Sequence, residues 1–177
     1  ATSVTSEKSN RAIEILVTSV HPTSLICGKV IAAALASFIQ FGLMIASGMI
    51  AYQVNKGAWN SMLDGIFDIP HDILIIFAFF GGVGYLFYAF IFGVLGALVS
   101  KTEDVSSSIT SITMIFVIVF FVTMFGMGDV ESSAMKIASF IPFSSFMTMP
   151  TRFAMGSVSF LEISISFILL ILSTIVV

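Results

Sequence analysis

Residues 73–100 read ILIIFAFFGGVGYLFYAFIFGVLGALVS, an unbroken run of 28 positions without a charged side chain, set between Asp72 and Lys101. A helix crosses the hydrocarbon layer of a bilayer with about 20 apolar residues, so this run is long enough to span. In lipid every backbone N–H and C=O must find its partner inside the segment, which selects a helix. A membrane barrel would use strands of about 10 residues alternating polar with apolar. The run shows no such alternation.

The charges on either side divide the rest of the chain in the same way. No charged residue lies between Lys29 and Lys56, or between Asp104 and Asp129, gaps of 26 and 24 positions. A last uncharged stretch, residues 163–177, is 15 residues long, and it reaches spanning length with Ser159, Phe160 and Leu161 if Glu162 sits near the interface. The expected architecture is an all-α integral membrane protein with about four spans, near 27–53, 73–100, 106–127 and 159–177. Composition agrees: of 177 residues, 58% are hydrophobic and 10% charged, with a mean hydropathy of +1.11. A soluble domain carries roughly a quarter charged residues. The chain opens at Ala1 and stops at Val177 inside an apolar stretch, as expected of part of a longer protein.

The net charge is −3 and no Lys/Arg-rich run occurs, so nucleic-acid binding, which needs phosphate neutralisation, has no support. Cys27 is the single cysteine and reads as a small apolar residue near a membrane boundary. His21 and His71 stand at opposite ends of a span, so neither a metal cluster nor a catalytic dyad is expected. Gly28-Lys29 is followed by Val30, which rules out a G-x-x-x-x-G-K-[ST] phosphate loop there. No catalytic residue, cofactor or metal ligand is therefore assigned to this chain.

Within the spans, Gly81, Gly82, Gly84, Gly93 and Gly96, with the Ala-rich start of the first span, are read as close-packing positions. Gly81-Gly82 also allows a bend. Gln40 is the most polar group at depth and is expected to bond to a neighbouring helix. The middles of the long spans hold no ionisable group, which argues against a proton relay built from them.

The flanks carry the rest of the information. In residues 3–21, Ile13, Leu16, Val17 and Val20 share one helical face, while Glu7, Arg11, Glu14 and Thr18 share the other. This is an amphipathic helix, ended by His21-Pro22, with Thr23 or Ser24 expected to cap the span that follows. A lipid-surface helix favours a basic polar face. Here both signs of charge are present, which favours a protein partner. Asp64, Asp68 and Asp72 are read as a solvated loop, because Pro70 interrupts their alignment. The run at 137–149 is too short to span; with Pro142 and Pro150 it predicts broken, re-entrant helices at the outer face over about 129–157. Basic residues number four on the amphipathic-helix side (Lys8, Arg11, Lys29, Lys101) and three on the other (Lys56, Lys136, Arg152), a bare fit to the positive-inside rule.

The series Glu7-Lys8-Ser9-Asn10-Arg11-Ala12-Ile13-Glu14-Ile15-Leu16-Val17-Thr18-Ser19, followed by Pro22 and Gly28-Lys29, resembles the E-K-x-x-R-x-x-E-I-L-x-T-S, P, G-K pattern of type 2 ABC exporter permeases, in particular a NatB-like bacterial branch. The turn GVLGALVSKTED at 93–104 and the Ile141-Pro142-Phe143 and Met149-Pro150-Thr151-Arg152 stretches are similar to the same family in the same order. The resemblance is to the C-terminal half of such a permease. It implies that residues 1–24 form a cytoplasmic coupling helix, with Glu7, Lys8, Arg11 and Glu14 facing an ABC ATPase. It also implies that residues 25–177 form the transmembrane domain, with Pro142, Pro150 and Arg152 in the outer re-entrant segment. ATP and Mg would be bound by the partner ATPase, a second permease half would complete the pathway, and the setting would be a bacterial cytoplasmic membrane in contact with lipids. The branch implies sodium as cargo, while wider relatives move peptides, drugs, lipids or glycans. Two other classes fit the bare spans: a non-transporting scaffold or sensor subunit, and a secondary transporter or channel.

Overall fold

The computed structural model describes residues 22–57, 69–98, 102–156 and 158–177. They form helices α1 (Pro22–Val54), α2 (His71–Leu98), α3 (Thr102–Gly126), α4 (Ser133–Ala138), α5 (Pro142–Met155) and α6 (Phe160–Val176), with no strand among the described residues. Three of these, α1, α2 and α3, are long and apolar enough to cross a membrane, and α6 is a shorter apolar helix of 17 residues. The chain is an all-α membrane protein.

Helix α2 is the centre of the bundle. Its Phe80, Phe87, Tyr88 and Ile91 form one buried cluster with Met149 of α5 and with Ile163 and Leu170 of α6. Aromatic edges close the gaps: ring centroids lie 5.1 Å apart for Phe80–Phe167 and 5.0 Å for Phe87–Phe143. Helix α1 lies along a different side of α2. Gly93 meets Val30, Tyr85 bonds Ser37 and Gly82 meets Phe38, so the contacts run in opposite directions along an antiparallel pair. Glycine is required at one end of this pair: a Cβ at Gly93 would stand 2.8 Å from the Val30 Cγ2. The remaining faces of α1 expose Ile39, Leu43, Met44 and Ile50, side chains suited to hydrocarbon rather than water.

Serine and threonine enter these helices without leaving polar atoms stranded. Thr113, Thr123, Ser164, Ser173 and Thr174 each donate to the carbonyl four residues back. Such back-bonding satisfies a hydroxyl inside its own helix, where no water can do so.

Several expectations are revised by these elements. Helix α1 starts at Pro22 itself, so Thr23 and Ser24 lie within it instead of capping it. Proline suits a first helical turn because its missing N–H would have no intrahelical partner there. Gln40 is exposed, on a face of α1 that no described helix covers, and makes no hydrogen bond to a neighbouring described helix. Asp72 is exposed in the first turn of α2, where a carboxylate complements the helix dipole. Asp64 and Asp68 fall outside the described residues.

Candidate functional site

Between α3 and α6 the chain makes a hairpin of two helices. Ser132 caps α4, its hydroxyl accepting from the Met135 N–H at 3.5 Å. Ser139, Phe140 and Ile141 then turn the chain, and Pro142 opens α5. The hairpin enters the bundle beside Gly126 at the end of α3, where Met135 fills the space that a side chain at 126 would need. Its tip lies deep. Phe143 packs on Phe87, which stands 16 residues into α2, roughly 24 Å at the α-helical rise. Pro142 shares a cavity with Leu172 and Val176, far along α6. The tip therefore reaches well along both α2 and α6.

The tip is fitted by shape. Gly84 of α2 faces Phe146, and a methyl group at 84 would overlap the ring and its Cβ. Tyr88 packs its ring edge-on against Phe116 of α3 and Phe146 of α5, with centroids 5.8 and 5.4 Å away. Its hydroxyl donates to the Phe143 carbonyl at 2.7 Å.

The other end of α5 is fitted by charge. Arg152 has no exposed surface at all, although it is the longest cation available to this segment. Helical side chains lean toward the N-terminus of their helix. Arg152 does so and reaches the hairpin turn, donating from Nη1 to Ser139 Oγ at 2.8 Å. Its Nε donates to the Val130 carbonyl at 3.2 Å, and Nη2 to Glu162 Oε2 at 3.1 Å. Glu131 Oε2 stands 3.9 Å from the same Nη2 and pairs with Lys136 at 3.1 Å. Two cations and two carboxylates thus compensate one another. Both carboxylates keep side-chain exposures of 40–45%, so only the guanidinium is fully dehydrated. Ser139 ties the turn to α6 as well, its carbonyl accepting from Ser166 Oγ at 2.6 Å. No buried side-chain N or O among the described residues lacks a partner.

Of the residues expected to matter, Arg152 is the centre of this cluster, and Pro142 is the first residue of α5. Pro150 requires a correction: it lies inside α5, buried, and does not break it. The break falls at Ser139–Ile141 instead, and Pro142 begins a helix that continues for 14 residues. Glu7, Lys8, Arg11 and Glu14 lie outside the described residues. The partners of Arg152 were not singled out from sequence. The available signal was spacing: Glu162 follows Arg152 by ten positions, across a Gly156 turn that sets two helices side by side. No group of three or more His, Cys, Asp or Glu among the described residues is arranged to hold a metal.

A family model described as ABC-2 family transporter protein matches residues 1–177. The chain is similar to "Uncharacterized protein YhaP" of Bacillus subtilis (strain 168), 30% identical over 169 residues, covering 93% of this chain and 40% of that one. It is also similar to "Uncharacterized protein MJ1024" of Methanocaldococcus jannaschii, 25% identical over 177 residues, covering 98% of this chain and 41% of that one. It therefore spans about two-fifths of the length of these relatives. No solved structure matches it.

Proposed function

Because the chain belongs to the ABC-2 family of transporter proteins, we propose that it is the membrane permease region of an ATP-driven exporter, energised by a separate ABC ATPase and paired with a second permease half. The observation that carries the proposal is the two-signed polar face Glu7, Lys8, Arg11, Glu14, placed directly before the first span. ATP and Mg belong on the partner. In this reading residues 1–24 lie on the cytoplasmic side of a bacterial membrane, and the end of the bundle that holds Arg152 lies outside. Three crossings from Pro22 bring Gly126 to that outer side, so the hairpin enters from without. Lys136 and Arg152 then belong to the outer end of the bundle and Lys29 to the inner end, in keeping with the charge count.

The fold supports a mechanical route. A push on the amphipathic helix acts on α1 at Pro22, and α1 bears on α2 through Val30–Gly93 and Ser37–Tyr85. Helix α2 in turn bears on the hairpin tip through Gly84–Phe146 and Tyr88–Phe143. Closing of the ATPase dimer would tilt the spans along this route and move the hairpin, which is the step of alternating access. The cargo is a separate matter. The uncharged span centres disfavour a tight sodium site within these helices.

Charge reversal tests the coupling. Arg11→Glu and Glu14→Lys are expected to reduce ATP-dependent export to background, while insertion and thermal stability stay at wild-type levels. Wild-type export in both variants would sink the coupling role. Failure to co-purify with any ATP-binding protein would favour a scaffold or sensor subunit. Flux without an ATPase would favour a secondary transporter or channel.

A further inference from the structure

The bonds of Arg152 divide by where their acceptors stand. Its Nε donates to the Val130 carbonyl at 3.2 Å and its Nη1 to Ser139 Oγ at 2.8 Å, both on the arm of the hairpin that follows α3. Glu131, on the same arm, stands 3.9 Å from Nη2. Only the bond from Nη2 to Glu162 Oε2, at 3.1 Å, leaves the hairpin and reaches α6. The buried guanidinium is therefore built mainly into the hairpin itself.

Residues 129–156 set Asp129 and Glu131 against Lys136 and Arg152, so the segment is neutral on its own. Glu131 is tied to both of its arms. Its Oε2 pairs with Lys136 of α4 at 3.1 Å, and its Oε1 lies beside Gly156 at the end of α5, where a Cβ would stand 3.0 Å from it. A shift of about 1 Å would bring Glu131 to the direct bonding distance of a charged pair with Arg152. Among the described residues, three side-chain hydrogen bonds join the hairpin to other helices: Tyr88 to the Phe143 carbonyl, Ser166 to the Ser139 carbonyl, and Arg152 to Glu162. Only the last carries charge. Were Glu162 the sole counter-charge, parting from α6 would strand a buried cation, which is strongly unfavourable. Glu131 removes that obstacle, because it stays with the hairpin.

We propose that Glu162 and Glu131 are alternate counter-charges of Arg152, and that the handover from one to the other lets the hairpin part from α6 with its cation still balanced. Packed interfaces shift between discrete arrangements rather than deform continuously. In the arrangement described, Arg152 latches the hairpin to α6; in the other, the hairpin is electrostatically self-contained. The device concerns how this segment moves, whatever the movement serves, so its test reads separation and stability rather than export.

The test uses the full-length protein in nanodiscs, with every cysteine, Cys27 included, replaced by serine. One spin-label pair, on Ile141→Cys and Leu172→Cys, spans the hairpin tip and α6, beside the cavity that Pro142 shares with Leu172. A second, on Ile137→Cys and Met155→Cys, stays within the hairpin, one label on each arm. All four side chains are exposed. Glu162→Gln is expected to weaken the dipolar broadening of the first pair and to leave the second unchanged. Glu131→Gln is expected to leave both unchanged. In the double variant the guanidinium has no counter-charge, and the drop in unfolding temperature is expected to exceed the sum of the two single drops. Additive drops overturn the reserve role of Glu131, as does failure of Glu162→Gln alone to fold. Unchanged broadening of the first pair in Glu162→Gln overturns the latch. Weakened broadening of the second pair in that variant overturns the handover, because the hairpin would then come apart instead of leaving α6 intact.

Discussion

Arg152 shows how one residue can set the terms for a segment. A guanidinium with no exposed surface requires that its charge be balanced and its donors occupied, and Glu162, Glu131, Ser139 and the Val130 carbonyl do so. Removing one member of a buried pair is far more damaging than removing an exposed one, about 3–5 kcal/mol against less than about 1. Arg152→Leu is therefore expected to destabilise the protein by about 3 kcal/mol, the low end because both carboxylates retain water. Glu162→Gln keeps an acceptor for Nη2 but leaves the buried guanidinium only Glu131 at 3.9 Å to balance its charge, and should cost about 1.5 kcal/mol. Thermal unfolding in detergent checks the pair, and equal losses would show that the guanidinium is not the centre. Arg152→Lys does not rescue, since an ammonium cannot reach acceptors on three sides with a planar fork.

At the scale of elements, the hairpin is held by different forces at its two ends. The Arg152 end has ion pairs and charge-assisted bonds. The tip has aromatic edges, the Gly84–Phe146 fit and a single hydrogen bond to α2 from Tyr88. Tyr88→Phe keeps the ring and deletes that bond, a loss of about 1 kcal/mol. Exchange of the Ser144 and Ser145 amides, both bonded to the Ile141 carbonyl, should accelerate. The amide of Gly156, bonded to Arg152 at the far end, should not. Uniform acceleration would mean that the hairpin opens as one unit. Sequence reading predicted a short broken segment here because the apolar run at 137–149 is too short to span. It misplaced one break: Pro150 sits in the helix, because the chain around it is packed closely enough to hold α5 together without that N–H.

For the whole molecule, α2 packs against both the first span and the hairpin, which makes the α1–α2 seam the place to interrupt a push from the cytoplasmic side. Gly93→Leu would drive Val30 away and splay the pair. Overpacking of this kind costs about 1–3 kcal/mol. ATP-dependent export should fall severalfold, while the unfolding of Arg152→Leu relative to its parent keeps the same increment, because the two sites share no contact. Unchanged export would remove α1 from the route. Membrane residence and helicity were legible from sequence alone. Both follow from sums over local composition: long uncharged runs require lipid, and lipid requires helices that satisfy their own backbone. The amphipathic reading of residues 3–21 lies outside the described residues. What only the tertiary structure decided was where polar and aromatic groups meet. Glu162 becomes the partner of Arg152 because the Gly156 turn sets α5 against α6, and Phe146 packs against α2 because Gly84 leaves it room. Such pairings depend on distances between segments that composition does not carry, and a buried charge is tolerated only where the folded chain brings its complement within reach.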